Sequence, residues 1–129
     1  MEMEIVFPGS QRVDAVMGNL IVTTNQDGSA PAPFGLFLAS IGTCAGIYVL
    51  SFCQQRGLPT DNIRIVQRML TNPFTRMVER VELDIQVPPD FPDKYKEAVI
   101  RAASQCAVKK HLEFPPEFDI HTTVIEPAH

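Results

Sequence analysis

Short runs of alternating apolar and polar residues open the chain and predict β-strands. Residues 13–17 and 20–24 are rich in β-branched side chains. Gly18-Asn19 between them suits a two-residue hairpin turn. Residues 25–33 then bring together Asn, Asp, Gly, Ser and Pro, a composition typical of a loop.

A nearly uninterrupted apolar stretch follows and predicts a long helix over residues 34–55. Pro33 is suited to the first helical position, and Gly57 and Pro59 are typical stop signals. No charged residue lies between Asp27 and Arg56, so the helix is apolar all round. We therefore expect it to be buried on all sides in a soluble core, one that two subunits can share.

A membrane-spanning helix is the alternative for this stretch. Gly42 and Gly46 even have the spacing of a helix-dimer motif. However, the apolar run is only about the minimum length for a span, and no cluster of positive charge flanks it. We expect a core helix and no membrane.

The second half of the chain predicts two more strands, a helix and a last strand. Residues 63–70 and 81–87 are the strands, and the second alternates regularly between apolar and polar side chains. Asp93 is suited to cap a helix. The apolar face of that helix is expected to carry Tyr95, Val99, Ala102 and Cys106. The last strand is expected to present Phe118, Ile120, Thr122 and Val124 on one face.

The predicted order is β-β-(β)-α-β-β-α-β. Hairpins with helices between them favour an α+β fold with a mainly antiparallel sheet over repeated βαβ units. A chain of 129 residues is about the size of one domain, so we expect residues 1–129 to form a single domain.

The charge pattern and the cysteine count narrow the class of protein. The net charge is −4 and no basic run is present, so we expect no nucleic-acid partner. The first residues carry Glu2 and Glu4 and do not resemble a secretory signal. Three cysteines is an odd number without zinc-site spacing, so at least one thiol is free. We expect a reducing, cytoplasmic location.

Cys44 and Cys106 are the candidates for thiol redox chemistry, because they lie on different predicted helices far apart in sequence. A reactive thiolate needs a helix N-terminus, a cation or a metal beside it. Cys44 lies about three turns into its own helix, too deep for the helix dipole. Arg12, which we expect in a loop, is the only basic residue before Arg56 and is the candidate cation by elimination. Cys53 falls on the opposite side of the helix and is interpreted as core packing.

Composition alone does not exclude that all three cysteines are ordinary core residues. A Cys-His hydrolase is less favoured, because no histidine is predicted beside Cys44. The chain contains no phosphate-binding glycine loop, dinucleotide motif or two-histidine helix motif, so no metal or nucleotide cofactor is expected.

Two segments of the chain resemble one known family. The run Pro-Phe-Gly-Leu-Phe-Leu-Ala-Ser-Ile-Gly-Thr-Cys-Ala-Gly at residues 33–46 is similar to the central-helix signature of OsmC/Ohr proteins. The run Ala-Ala-Ser-Gln-Cys-Ala-Val at residues 102–108 is similar to their second-cysteine segment. The order of strands and helices fits along almost the whole chain.

The resemblance implies an intertwined homodimer with two central helices back to back, and a thiol peroxidase. Cys44 would attack an organic hydroperoxide and Cys106 would resolve the sulfenic acid as a disulfide. Arg12 would stabilise the thiolate and orient the peroxide. An external dithiol such as dihydrolipoamide would regenerate the pair, with no bound cofactor.

The chain departs from the family's peroxidases at the start of the central helix. Those proteins carry a glutamate after the proline, where this chain has Phe34, and the glutamate pairs with the arginine. No nearby carboxylate is expected to replace it. Phe34 and Phe37 are then expected to contact an apolar substrate. The alternatives are a dimer that binds a small apolar or thiol-reactive ligand without peroxidase activity, and a purely structural dimer.

Overall fold

The computed structural model describes residues 1–125 and has an α+β architecture with two antiparallel sheets. The first sheet has the order β1-β2-β3 and the second pairs β4 with β5. The strands are β1 (Glu4–Gly9), β2 (Arg12–Met17), β3 (Leu20–Asn25), β4 (Arg64–Thr71) and β5 (Val78–Gln86). The helices are α1 (Pro33–Gln55), α2 (Lys96–Ala103) and α3 (Ala107–Glu113), and a 3₁₀ turn at Asp93–Tyr95 precedes α2. Mixed α+β structure with antiparallel pairing was expected and is confirmed.

The hairpin between β2 and β3 forms as the sequence predicts. Met17 pairs with Leu20, which leaves Gly18 and Asn19 as the two turn residues. Gly18 has a positive φ of 56°, a conformation that glycine adopts without steric cost. Arg12, expected in a loop, is instead the first residue of β2 and pairs with Asn25.

Helix α1 begins and ends where the sequence signals are. Pro33 is the first residue of the helix and Gln55 is the last. Gly57, two residues beyond the end, has a φ of +64°. The N–H of Leu58 donates to the Cys53 carbonyl at 2.9 Å, and the N–H of Gly57 donates to the Gln54 carbonyl at 3.3 Å. These two bonds are those of a Schellman motif, which satisfies carbonyls at the helix end.

The buried core lies between α1, α2 and the two-stranded sheet. The buried residues of this core come from one face of α1, from the loop before α2 and from α2 itself. They are Ala45, Val49, Phe52, Cys53, Phe91, Val99 and Ala103. Full burial of a side chain as large as valine or phenylalanine contributes about 1.5–3 kcal/mol to the stability of the fold. None of these residues comes from the first sheet.

The prediction that α1 is buried on all sides is wrong within this chain. One face packs on α2 and β4, whereas Ala39, Thr43, Ile47, Leu50 and Gln54 are exposed along the other. Ile47 is 64% exposed, which is unusual for isoleucine on an uncharged helix. The long apolar segment therefore has a packed face and an unpacked face.

Gly42 and Gly46 lie on the packed face and do not form an outward helix-dimer motif. A Cβ at Gly42 would collide with the side-chain oxygen of Gln67, and one at Gly46 would lie 3.8 Å from Ile65. Both neighbours belong to β4. The two glycines thus let β4 approach α1 closely.

Two predicted features after β5 are wrong. The single helix expected to carry Cys106 on its apolar face breaks after Ala103, and Cys106 becomes the N-cap residue of the separate α3. The last strand does not form, because no neighbouring strand pairs with residues 118–124 within the described chain. The apolar side chains of this segment remain exposed, and the exposed fraction of Ile120 is 92%.

Candidate functional site

Cys44 and Cys106 come together where α1 passes the first turn of α3. Cys44 is half-buried on α1, next to the fully buried Ala45. The Cys106 sulfur lies 3.8 Å from the carbonyl oxygen of Ile41, one turn before Cys44 on the same helix, and the Cys106 thiol and the backbone N–H groups of Val108 and Ala107 act on the pKa of Cys44. Two residues 62 positions apart in sequence therefore share one site.

The surroundings of Cys44 favour its thiolate. The hydrogen bond from the Val108 N–H makes the largest contribution to lowering the pKa of Cys44 below the usual thiol value, and the Cys106 thiol and the Ala107 N–H add to it. Desolvation opposes the shift and is smaller than the Val108 contribution. The thiolate is thus stabilised by N–H donors at the start of another helix.

Cys106 has the opposite character. It is buried to 2% exposure, and desolvation is the main cause that raises its pKa. Its sulfur accepts the N–H of Lys109 at 3.4 Å and lies 3.8 Å from the Ile41 carbonyl oxygen, which accepts the S–H. Burial therefore favours the protonated thiol at Cys106, whose S–H has the Ile41 carbonyl as an acceptor, whereas the N–H donors favour the thiolate at Cys44.

Cys53 is separate from this pair. It is completely buried, and desolvation raises its pKa. All three cysteines are free thiols. Cys53 packs in the core, as its position on the opposite side of α1 predicts.

Arg12 pairs with Asp14 in this chain. Its Nη2 donates to Asp14 Oδ2 at 2.8 Å, and its Nε donates to Oδ1 at 3.0 Å. The bond to Asp14 is the main cause that raises the Arg12 pKa. Within residues 1–125 no hydrogen bond or ion pair joins Arg12 to either cysteine.

Asp14 is the residue that sequence reasoning missed. We expected no carboxylate to replace the glutamate that Phe34 displaces, yet Asp14, only 4% exposed at its side chain, holds the Arg12 guanidinium at two of its nitrogens. The available signal was their spacing, because residues i and i+2 of a strand point to the same face.

Phe34 and Phe37 form an aromatic pair at the start of α1. Their ring centroids are 5.6 Å apart with an interplanar angle of 30°. Both line a cavity of about 530 Å³, which also includes Ile41. A second cavity of about 540 Å³ is lined by Cys106 and by Ile41. Apolar space therefore extends from the aromatic pair to Cys106.

Within the described part of the chain, no three His, Cys, Asp or Glu side chains converge to hold a metal ion. The chemistry that the arrangement supports is that of two thiols.

The sequence profile of the family described as OsmC-like protein matches residues 26–121. This range contains α1 and both interacting cysteines. The chain belongs to the OsmC-like family. No curated protein matches it.

Solved structures show the same fold at low sequence identity. A hypothetical protein from Aquifex aeolicus VF5 has a TM-score of 0.71 and 17% identity, over 88% of this chain and 87% of that one. A protein from Psychrobacter arcticus 273-4, provisionally described as an osmotic stress induced and detoxification response protein, has a TM-score of 0.64 and 19% identity, over 84% and 85% of the two chains. An OsmC-like protein from Mycoplasma pneumoniae has a TM-score of 0.59 and 12% identity, over 87% and 86%.

Membership of the OsmC-like family bears on the interpretation of α1. By length and composition α1 is apolar enough to cross a membrane, a property that core helices of soluble proteins share. OsmC-like proteins are soluble. The core-helix interpretation of this segment is therefore favoured.

Proposed function

We propose that this OsmC-like protein is a thiol-dependent peroxidase that reduces apolar organic hydroperoxides through Cys44 and Cys106. The observation that carries the proposal is the position of Cys106, whose sulfur lies 3.8 Å from the Ile41 carbonyl oxygen one turn before Cys44 on α1, together with the Val108 N–H that favours a thiolate on Cys44. A nucleophilic sulfur with a protonated thiol beside it is the arrangement required for attack followed by resolution.

The first step oxidises Cys44. Its thiolate attacks one peroxide oxygen, so that an S–O bond forms while the O–O bond breaks. The alkoxide leaves and takes a proton to become an alcohol, and Cys44 becomes a sulfenic acid. The peroxide is reduced by two electrons, which the sulfur supplies.

The second step joins the two cysteines. The Cys106 sulfur attacks the Cys44 sulfur, and hydroxide leaves with the Cys106 proton as water. Cys106 is 2% exposed and next to Cys44, so it competes well with a second peroxide for the sulfenic acid. An external dithiol such as dihydrolipoamide then reduces the disulfide by thiol–disulfide exchange.

A homodimer is part of the proposal. The uncharged face of α1 with Ile47 at 64% exposure supports it, because exposed apolar surface of this extent marks an interface. Within residues 1–125 the first sheet contributes no residue to the core, and Phe7 on β1 is 80% exposed. Arg12 would then serve the Cys44 of the other subunit, held in place by Asp14.

A second candidate is a dimer that binds a small apolar or thiol-reactive ligand and reduces nothing. The exposed aromatic pair of Phe34 and Phe37 favours it, because Phe34 stands where the peroxidases have their glutamate. In either case the free thiols fit a reducing, cytoplasmic compartment.

Turnover of cumene hydroperoxide with dihydrolipoamide tests the peroxidase proposal. Wild type should consume peroxide, Cys44→Ser should not, and Cys106→Ser should stop after one equivalent. Cys53→Ala is the matched control and should keep full turnover, since Cys53 lies outside the pair. Wild-type turnover no faster than that of Cys44→Ser would leave the ligand-binding dimer as the better explanation.

A further inference from the structure

The two cavities beside α1 adjoin each other and form one apolar groove. They share Ile41, Val81 and Leu112 as lining residues. Cys106 lies at one end, and the turn between β4 and β5 lies at the other, where Arg76 lines the cavity. We call this space the α1 groove. Its length along the helix, from Phe34 to Ile41, is about 10 Å at 1.5 Å per residue.

Three charged side chains line the α1 groove, and two of them are already paired. Lys109 Nζ lies 3.1 Å from Glu113 Oε1. Asp84 Oδ2 lies 3.3 Å from Arg68, and hydrogen bonds from Gln86 and Arg68 lower the pKa of Asp84. Within residues 1–125, Arg76 makes no side-chain hydrogen bond or ion pair.

The position of Arg76 is well defined by its turn. The Asn72 side chain accepts the N–H of Phe74 at 2.9 Å and that of Thr75 at 3.1 Å, and the Arg76 N–H donates to the Asn72 carbonyl at 2.8 Å. Arg76 itself has a φ of +61°. The turn thus holds an unneutralised guanidinium at the mouth of an apolar groove.

We propose that the α1 groove binds a single-chain organic anion, with its carboxylate against Arg76 and its apolar chain directed past Ile41 towards Cys106. The charges set this orientation. Near Cys106 the two charged side chains, Asp84 and Lys109, are each paired, whereas the unpaired Arg76 at the far end attracts a carboxylate. That such an anion is a substrate rests on the proposed peroxidase function. Its binding in the α1 groove does not require turnover.

Isothermal titration calorimetry at low ionic strength tests the charge preference. Octanoate, 1-octanol and octylammonium share a chain and differ in head-group charge. Wild type should bind octanoate about tenfold more tightly than either of the others, because a charge-assisted hydrogen bond is available only to the anion. Hexanoate should bind roughly fifteenfold more weakly than octanoate, since two methylenes remain in water.

Variants assign the effect to Arg76. Arg76→Gln should remove the preference for octanoate, and Arg76→Lys should retain part of it. The matched control is Arg80→Gln, because Arg80 is exposed on the neighbouring strand and lines neither cavity, and it should bind as wild type does. In NMR spectra, octanoate should shift amide signals of residues 76–81 and Leu112.

Several outcomes would overturn this inference. Equal affinity for octanoate and octylammonium, an equal loss with Arg80→Gln, or no measurable octanoate binding would each do so. These outcomes are separable from failure of the proposed function. Wild type that turns over cumene hydroperoxide without preferring octanoate refutes only the anion site, whereas Arg76-dependent octanoate binding without any turnover refutes only the peroxidase.

Discussion

Replacing Gly42 with alanine tests how the cysteine-bearing turn of α1 is held against β4. Gln67 Nε2 donates to the Leu38 carbonyl at 2.9 Å, and its side-chain oxygen occupies the space where an alanine Cβ would stand. Alanine at position 42 must therefore displace the Gln67 amide. The substitution has two opposing effects on the free energy of unfolding.

The magnitudes predict near cancellation in the wild-type background. Alanine in a helix interior is more stable than glycine by about 1 kcal/mol. The lost hydrogen bond between Gln67 and Leu38 costs about 1 kcal/mol, since the Leu38 carbonyl keeps its bond within the helix. With Gln67→Ala already present, the opposing term vanishes, and Gly42→Ala should stabilise by about 1 kcal/mol.

Thermal and urea unfolding of the four proteins in this cycle measures the coupling. Gly42→Ala should leave Tm almost unchanged in wild type and raise it by about 3–6 °C in the Gln67→Ala background. Gly46→Ala is the control, because its Cβ would meet Ile65 at an ordinary 3.8 Å, so its effect should not depend on Gln67. If Gly42→Ala stabilises both backgrounds equally, the described contact between α1 and β4 is wrong.

Three further perturbations test the thiol site and the dimer. With a neutral haloacetamide, alkylation of Cys44 should reach half its maximal rate at a lower pH than alkylation of Cys106, because the Val108 N–H lowers the pKa of Cys44 and desolvation raises that of Cys106. Peptide mass spectrometry over a pH series measures both rates, and identical pH profiles would refute the assignment. Asp14→Asn should reduce peroxide turnover about tenfold by releasing Arg12, and unchanged kcat/KM would remove the Arg12–Asp14 pair from the site. Ile47→Lys should halve the mass found by sedimentation, whereas an unchanged mass would place the dimer interface elsewhere.

The elements whose boundaries depend on local chemistry were predictable from the sequence. The hairpin at Gly18 and the limits of α1 at Pro33 and Gly57 follow from turn and capping preferences that act within a few residues. The alternation before Pro88 likewise identified β5.

The features that depend on distant contacts were not predictable. The segment where the helix breaks, between Ala103 and Cys106, contains no proline or glycine. The apolar spacing therefore suggested one continuous helix. Consequently the N–H groups of Ala107 and Val108 were not recognised as donors to Cys44, and a cationic side chain was expected instead. The prediction of a last strand was wrong for a related reason. Alternating apolar and polar residues indicate that a segment can form a strand, but they do not show which neighbouring strand it would pair with.

The state of the two sulfurs after one equivalent of cumene hydroperoxide tests the central claim most directly. Peptide mapping of the unreduced protein should find Cys44 joined to Cys106, with Cys53 still a free thiol, and Cys106→Ser should instead stop at the Cys44 sulfenic acid, trapped by dimedone. Cys44 left unmodified, or carried to the sulfinic acid in wild type with Cys106 still reduced, would contradict the account.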